Sequence, residues 1–266
     1  MKGDIVLPDY PTIFWILAVI SVIFVGIAKA GFGGGVGILA TPLMALVIPV
    51  ADSAAILLPL LMVCDVFAVA HYRKHFHRRS VKLLLPGAAI GIGIGALFFG
   101  YFSANERVLQ LGLGILSLFF VVFQALRAVI TGALTKRHPH SAEGVFMGAI
   151  AGFTSTIAHA GGPPTTIYLL PQQLPRNLFV GTTVILFAAI NQMKLIPYLG
   201  LDILRAEHLV TIAILSPLGY AGVRLGIFFN KRFTDHWFNL IVYSILFIAG
   251  VQLISGKNLI QLLGIV

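Results

Sequence analysis

Several residues able to do chemistry lie inside otherwise apolar sequence: Lys29, Asp65, His159, Asn191, Gln192, Lys194 and Arg224. A charged side chain at a bilayer's centre costs about 2.5–3.5 kcal/mol on insertion scales, so it faces a bundle interior or a ligand. Lys29 stands beside the run Gly31-Phe32-Gly33-Gly34-Gly35, which makes it a candidate anion ligand. The alternative for Lys29 is a side chain snorkelling to the cytoplasmic face. His159 suits proton coupling or anion binding because an ordinary imidazole titrates near pH 6.5. Its alternative is a neutral, satisfied core histidine. Asp65, a second coupling candidate, has Lys29, Arg224 and the nearby basic loop as possible partners. Asn191 and Gln192 cannot both face lipid cheaply, and Arg224 lies midway along an apolar stretch. Thr41, Ser155 and Thr156 offer hydroxyl donors to anion oxygens, or bond back to helix carbonyls. The backbone amides of Gly33, Gly34 and Gly35, and of Gly161 and Gly162, precede expected helix starts. Unpaired N–H groups there carry the equivalent of roughly half a positive charge and favour an anion. A metal fits less well. His71, His75 and His77 lie among Arg73, Lys74, Arg78, Arg79 and Lys82, which repel a cation, and no Glu joins them. No Ser/Lys or His-Glu-x-x-His arrangement is apparent, so an intramembrane enzyme has little support.

The elements that position these residues are broken apolar segments. One break reads Ala30-Gly31-Phe32-Gly33-Gly34-Gly35-Val36-Gly37-Ile38-Leu39-Ala40-Thr41-Pro42. The other reads Ala151-Gly152-Phe153-Thr154-Ser155-Thr156-Ile157-Ala158-His159-Ala160-Gly161-Gly162-Pro163. Each runs from Ala-Gly-Phe to Pro at the same spacing. Paired Gly/Pro-interrupted segments in two halves point to a secondary transporter's binding site. Freed backbone groups are costly in lipid unless protein, water or substrate satisfies them. Close helix packing is the alternative use of such glycines, and it is the favoured reading for Gly87, Gly91 and Gly95.

The composition sets the class. The chain has 266 residues, 58% apolar and 10% charged, with mean hydropathy +0.98. Soluble domains carry roughly 25% charged residues, so this is an integral membrane protein. A single cysteine, Cys64, excludes an intrachain disulfide. The net charge of +9 sits between apolar runs, where it orients helices rather than binding nucleic acid. Ala28-Lys29-Ala30 resembles a leader cleavage site, but a cut there would split the repeat, so the first run is read as structure.

Segments 52–71, 81–102, 105–127, 177–199, 206–230 and 235–254 reach the roughly 20 residues a crossing needs. Segments 36–50, 142–158 and 164–175 are shorter, as half-helices or re-entrant arms would be. The basic stretch 71–82, the 127–137 connection with Arg127, Lys136 and Arg137, and Lys231-Arg232 all belong on the cytoplasmic side. Five segments per half then require an inverted repeat. The expected fold is an all-α polytopic membrane bundle of two inverted repeats. Each repeat holds a broken hairpin and three transmembrane helices. The repeats span 1–130 and 142–266, with a basic cytoplasmic linker at 131–141. Asp65…Tyr72 in the first half answers Asn191…Tyr198 in the second.

The pattern Ala-Gly-Phe-Gly-Gly-Gly-Val-Gly, then Thr-Pro-Leu, then Ala-Gly-Phe…His-Ala-Gly-Gly-Pro-Pro resembles the TauE/SafE family of sulfite and organosulfonate exporters. The resemblance covers about residues 14–254. It implies a multi-pass permease of the cell membrane that moves small sulfur-containing or carboxylate anions by secondary transport. It implies no cofactor and no enzymatic activity. An ion gradient, protons first, is the expected drive. An anion channel is the runner-up, distinguished by non-saturable flux. The expected partners are a small anion and the bilayer. Glycine-rich helix faces also permit a homodimer.

Overall fold

The computed structural model describes residues 10–33, 37–134, 139–230 and 235–257. All regular structure among them is helical: α1 Thr12–Gly31, α2 Ala40–Met44, α3 Val50–Tyr72, α4 Arg78–Phe102, α5 Glu106–Leu134, α6 Ser141–Ala158, α7 Gly162–Leu169, α8 Arg176–Gly200, α9 Leu209–Asn230 and α10 Asp235–Ser255. Six described stretches are long and apolar enough to cross a membrane: Thr12–Gly31, Val50–Tyr72, Arg78–Phe102, Glu106–Leu126, Arg176–Gly200 and Ala206–Asn230. The chain is a polytopic helical membrane protein. The first apolar run is a full-length helix, whereas the expected final crossing shows a shorter described apolar stretch, Leu240–Ser255.

Prolines set several boundaries. Pro11, Pro49 and Pro175 stand immediately before α1, α3 and α8. Proline pushes its predecessor out of helical geometry, so a new helix begins there. The basic loop between α3 and α4 is tied down by polar bonds. The His77 amide donates to Thr182 Oγ1 at 2.8 Å, and Ser80 Oγ donates to Gln172 Oε1 at 2.9 Å. His77 Nδ1 also lies 2.8 Å from Ser80 Oγ, a structural use for one histidine of the loop.

The other basic residues assigned to the cytoplasmic side, Lys136, Arg137, Lys231 and Arg232, lie outside the described residues, as does the Arg127 side chain. At the opposite end of the bundle, two arginines have local employment. Arg107 Nη1 donates to Leu253 O at 2.8 Å, and its Nη2 donates to Ile254 O, which satisfies the end of α10. Arg205 pairs with Glu207 at 3.3 Å.

Helices pack in matching pairs: α4 runs along α6 and α1 along α9, while α3 lies against α8 and α5 against α10. Glycines create the closest approaches. A Cβ on Gly87 would fall 1.8 Å from Val145 O, and one on Gly91 1.9 Å from Ala149 O. On the other pair, a Cβ on Gly222 would meet Ile23 O at 2.7 Å and one on Gly226 would meet Ile27 O at 2.6 Å. Backbones that touch this closely gain dispersion contacts that larger residues would prevent. The glycines of α4 therefore serve packing.

Candidate functional site

Both breaks end in left-handed backbone. After α1, Gly33 has φ +75, and a Cβ there would lie 2.8 Å from Phe179 Cε1. Only glycine meets both conditions. After α6, the position is taken by His159 with φ 52. A non-glycine residue in this region costs roughly 1–2 kcal/mol, and its surroundings must hold it. They do so at three points. The His159 amide donates to Ser155 O at 3.0 Å. Its Nε2 reaches Ala54 O at 3.2 Å, and its Nδ1 lies 2.7 Å from Lys194 Nζ.

Tyrosines tie down the last carbonyls of both broken helices. Tyr72 Oη donates to Ala30 O at 2.8 Å and Tyr198 Oη to Thr156 O at 2.6 Å, each from 42 residues further along the chain. These bonds place Thr156, rather than Ala151, in the role of Ala30. The register read from Ala-Gly-Phe, with His159 opposite Ile38, differs from the structural one, in which His159 answers Gly33.

Between the breaks lies a buried polar network. Lys29 Nζ pairs with Asp65 Oδ1 at 2.5 Å and donates to Leu61 O at 3.1 Å. Asn191 Nδ2 donates to Asp65 Oδ2 at 2.7 Å. Asp65 is therefore bound to Lys29 and Asn191, and neither Arg224 nor the basic loop is its partner. Lys194 Nζ donates to Ser155 O at 3.0 Å and to Ser155 Oγ at 3.1 Å, beside the contact with His159 Nδ1. Lys29, Asp65, Asn191 and Lys194 are all buried, Lys194 completely.

The hydrogen bonds fix donor roles. Ala54 O can only accept, so His159 carries its proton on Nε2. Its Nδ1 then accepts from Lys194. Three acceptors surround Nζ of Lys194, as an ammonium requires. The Ser155–Lys194 contact has the composition of a Ser/Lys dyad, an arrangement not apparent from sequence. With every Nζ hydrogen directed at an acceptor, this lysine provides charge and has no lone pair to act as a base. The described core thus holds two ammonium groups against one carboxylate.

A cavity of about 30 Å³ opens on this network, lined by Lys29, Ser155, His159, Gly162 and Asn191 on its polar side and by Val25, Leu61 and Phe187. Drug-sized ligand pockets run about 300–1,000 Å³, so this one fits only a ligand of a few heavy atoms. Lys29 has a third N–H beyond its bonds to Asp65 and Leu61, and the Ser155 hydroxyl hydrogen is available to donate.

Other expected ligands are placed elsewhere. Thr156 Oγ1 donates back to Gly152 O at 2.9 Å. Thr41 Oγ1 donates to Ala158 O at 2.9 Å, joining the segment after the first break to the end of α6. Gln192 is exposed on the far face of α8. Arg224 is also exposed, its guanidinium 6.0 Å from the Tyr220 ring centroid. Both point away because Asn191 and Lys194 share the inward face of α8, while glycines Gly222 and Gly226 take the inward face of α9. Gly34 and Gly35 lie outside the described residues.

The expected half-helix from Val36 is instead a 3-10 turn, Gly37–Leu39, followed by the five-residue α2. Pro49 closes off any extension, so this arm has no developed helix dipole. α7 does begin at Gly162, with Gly161 before it, but Pro163 and Pro164 follow and supply no N–H. The amide cradle is thereby reduced to Gly161 and Gly162.

Lys194 is the site residue that sequence reasoning left unassigned. Its signal was present: it lies three positions after Asn191 on a helix, hence on the same face.

A family model described as Sulfite exporter TauE/SafE matches residues 18–253. No curated protein and no solved structure matches the chain.

Proposed function

The chain belongs to the TauE/SafE sulfite exporter family, a family of multi-pass membrane transporters rather than enzymes, and from that premise we propose that it carries small sulfur oxyanions through the cavity between its two breaks by secondary transport. The observation behind this reading is the charge count around the cavity: Lys29 and Lys194 against Asp65. An unbalanced buried charge costs several kcal/mol. A monovalent anion such as bisulfite or a sulfonate would bring the site to neutrality. The third N–H of Lys29, the Ser155 hydroxyl and the Gly162 amide would then address its oxygens. Lys194, which lies behind Ser155 and His159, supplies charge.

The inverted-repeat reading is supported by the equivalent tyrosine bonds and by the matching helix pairs, α4 on α6 and α9 on α1. The coupling group is His159. In the described arrangement Lys194 occupies Nδ1, so no proton can join there. When Lys194 turns toward a bound anion, Nδ1 is freed to take one. Anion and proton then bind together.

Two measurements test this. Purified protein should gain thermal stability from sulfite or methanesulfonate, since a ligand of the folded state raises stability by mass action. In proteoliposomes, sulfite flux should saturate and vary with pH between about 5 and 8. His159→Gln should keep flux while losing most of that pH dependence. An unchanged pH profile in the variant would remove His159 as the coupling group. Non-saturable flux would make the protein a channel.

A further inference from the structure

A second polar cavity lies at the end of the bundle that bears the basic loop. It measures about 140 Å³ and is lined by His71, Tyr72, His75, Asn177, Ile227 and Asn230. His71, His75 and Asn177 are exposed, so it is open to solvent, whereas Tyr72 and Asn230 are buried at its floor. The lining contains two imidazoles and two carboxamides and no carboxylate. All four can donate hydrogen bonds.

Its floor abuts the last turn of α1. Asn230 Nδ2 donates to Tyr72 Oη at 2.8 Å, and that same hydroxyl donates to Ala30 O, the residue after Lys29. Arg176 stands beside the first break with its guanidinium 5.7 Å from the Phe32 ring centroid. Arg73, Lys74, Arg78, Arg79 and Lys82 surround the mouth. Among the described side chains of this end, Glu143 is the one carboxylate, and it does not line the cavity. Asn177 sits in the first turn of α8, a 25-residue helix whose dipole adds positive potential there.

The opposite end has the reverse character. A cavity of about 230 Å³ there is lined by Asp52, Asp202, Arg205 and Ser103 among others. Asp202 and Glu207 sit in the turn before α9, Glu106 opens α5, and Asp52 opens α3. Walls of one charge sign focus the field in a cleft and raise the local concentration of the opposite ion.

We propose that the cavity at the basic end is a capture site for small oxyanions, separate from the central cavity, with the Tyr72 hydroxyl as the partition between the two. It rests on the reading above that the anion crosses within the bundle. Its chemistry is that of a sulfonate or sulfite binder, because neutral and cationic donors converge without an acceptor charge. The acidic mouth at the other end would disfavour return.

The test reads anion preference without any flux. In a Cys64→Ala background, Asn177→Cys is reacted with an anionic sulfonatoethyl and a cationic trimethylammonioethyl methanethiosulfonate. Each rate is normalised to that of a small free thiol. The anionic reagent should be favoured by about tenfold, the lower range of electrostatic rate enhancement in charged clefts. Methanesulfonate should slow the reaction, and His71→Gln/His75→Gln should bring the ratio near unity. Ile227→Cys, on the same wall, repeats the measurement should Asn177→Cys fail to fold. A ratio near unity or favouring the cation in both cysteine variants overturns the proposal. So does indifference to methanesulfonate or to the histidine substitutions. Loss of the transport reading would show separately, as absent sulfite flux in the parent protein, and would leave the reagent ratio intact.

Discussion

The two halves of the central network handle a buried lysine in opposite ways. In the first, Lys29 of α1 meets Asp65 of α3 at 2.5 Å, and the pair is electrically closed. In the second, Lys194 of α8 meets only neutral acceptors on α6 and its break, Ser155 and His159. Asn191 stands on α8 one turn before Lys194 and donates to Asp65, joining the halves. The difference separates two roles. The closed pair holds α1 to α3, and the open cation leaves a charge for something else to neutralise. A symmetric site with two Lys–Asp pairs would have no net attraction for an anion.

Removing the open cation should have the largest effect. Lys194→Met keeps much of the side chain's volume and deletes the charge. We expect sulfite flux to fall by at least about 100-fold, since losing a charge-assisted partner of a desolvated ion costs about 2–5 kcal/mol. Thermal stability should hold or rise, because an uncompensated ion is replaced by an apolar group. Wild-type flux in Lys194→Met would erase the distinction between the two lysines.

The closed pair should answer in stability. Asp65→Asn leaves Lys29 buried without its counter-charge, and breaking one partner of a buried pair costs about 3–5 kcal/mol. Lys29→Met leaves Asp65 in the same position. The double variant should be less destabilised than the sum of the single ones, as residues in contact are not additive. Thermal unfolding in detergent checks this. Additivity would mean that the pair does not act as a unit.

The unequal success of sequence reading follows from the same contrast. Lys29, Asp65, Asn191, Ser155 and His159 were legible because polar groups in apolar helices must turn inward, and the structure brings all five to one network. Arg224 was misplaced by the same logic. In a membrane helix the lipid-facing side is as apolar as the core, so hydrophobic periodicity does not reveal which face is inward. Only the glycines of α9 marked the face that meets α1, and Arg224 lies off it. Its exposed position has Tyr220 as a cation–π partner. The helix start expected at Val36 failed for a local reason: the segment is cut short by Pro49 and forms only a 3-10 turn and α2. The repeat register slipped because Ala-Gly-Phe recurs by composition, while the equivalence lies in the carbonyls that Tyr72 and Tyr198 bind.

A smaller contrast lies in the two glycine-packed helix pairs. The α4–α6 contact is tighter than α1–α9, with a hypothetical Cβ on Gly91 1.9 Å from a carbonyl oxygen against 2.7 Å for Gly222. Overpacking costs typically 1–3 kcal/mol, roughly in step with the shift required. Gly91→Ala should therefore lower thermal stability more than Gly222→Ala. The reverse order would mean that α1 and α9 are the more rigid pair.

The smallest expected effects concern the breaks themselves, and they should have opposite signs. Gly33→Ala places a Cβ in left-handed backbone, 2.8 Å from the Phe179 ring. The backbone cost alone is about 1–2 kcal/mol, and Phe179 must shift as well. His159→Gly relieves the same backbone cost at the equivalent position. It also deletes the bonds to Ala54 O and Lys194, of which a hydrogen bond to a charged group contributes about 1.5–3 kcal/mol. The two contributions nearly cancel, so His159→Gly should leave stability within about 1 kcal/mol of wild type while flux falls. A histidine retained at a position that glycine fills without strain is then held there by what its ring does for Lys194. Should His159→Gly unfold the protein as readily as Gly33→Ala, the ring is a structural strut and the breaks differ only in how they are braced.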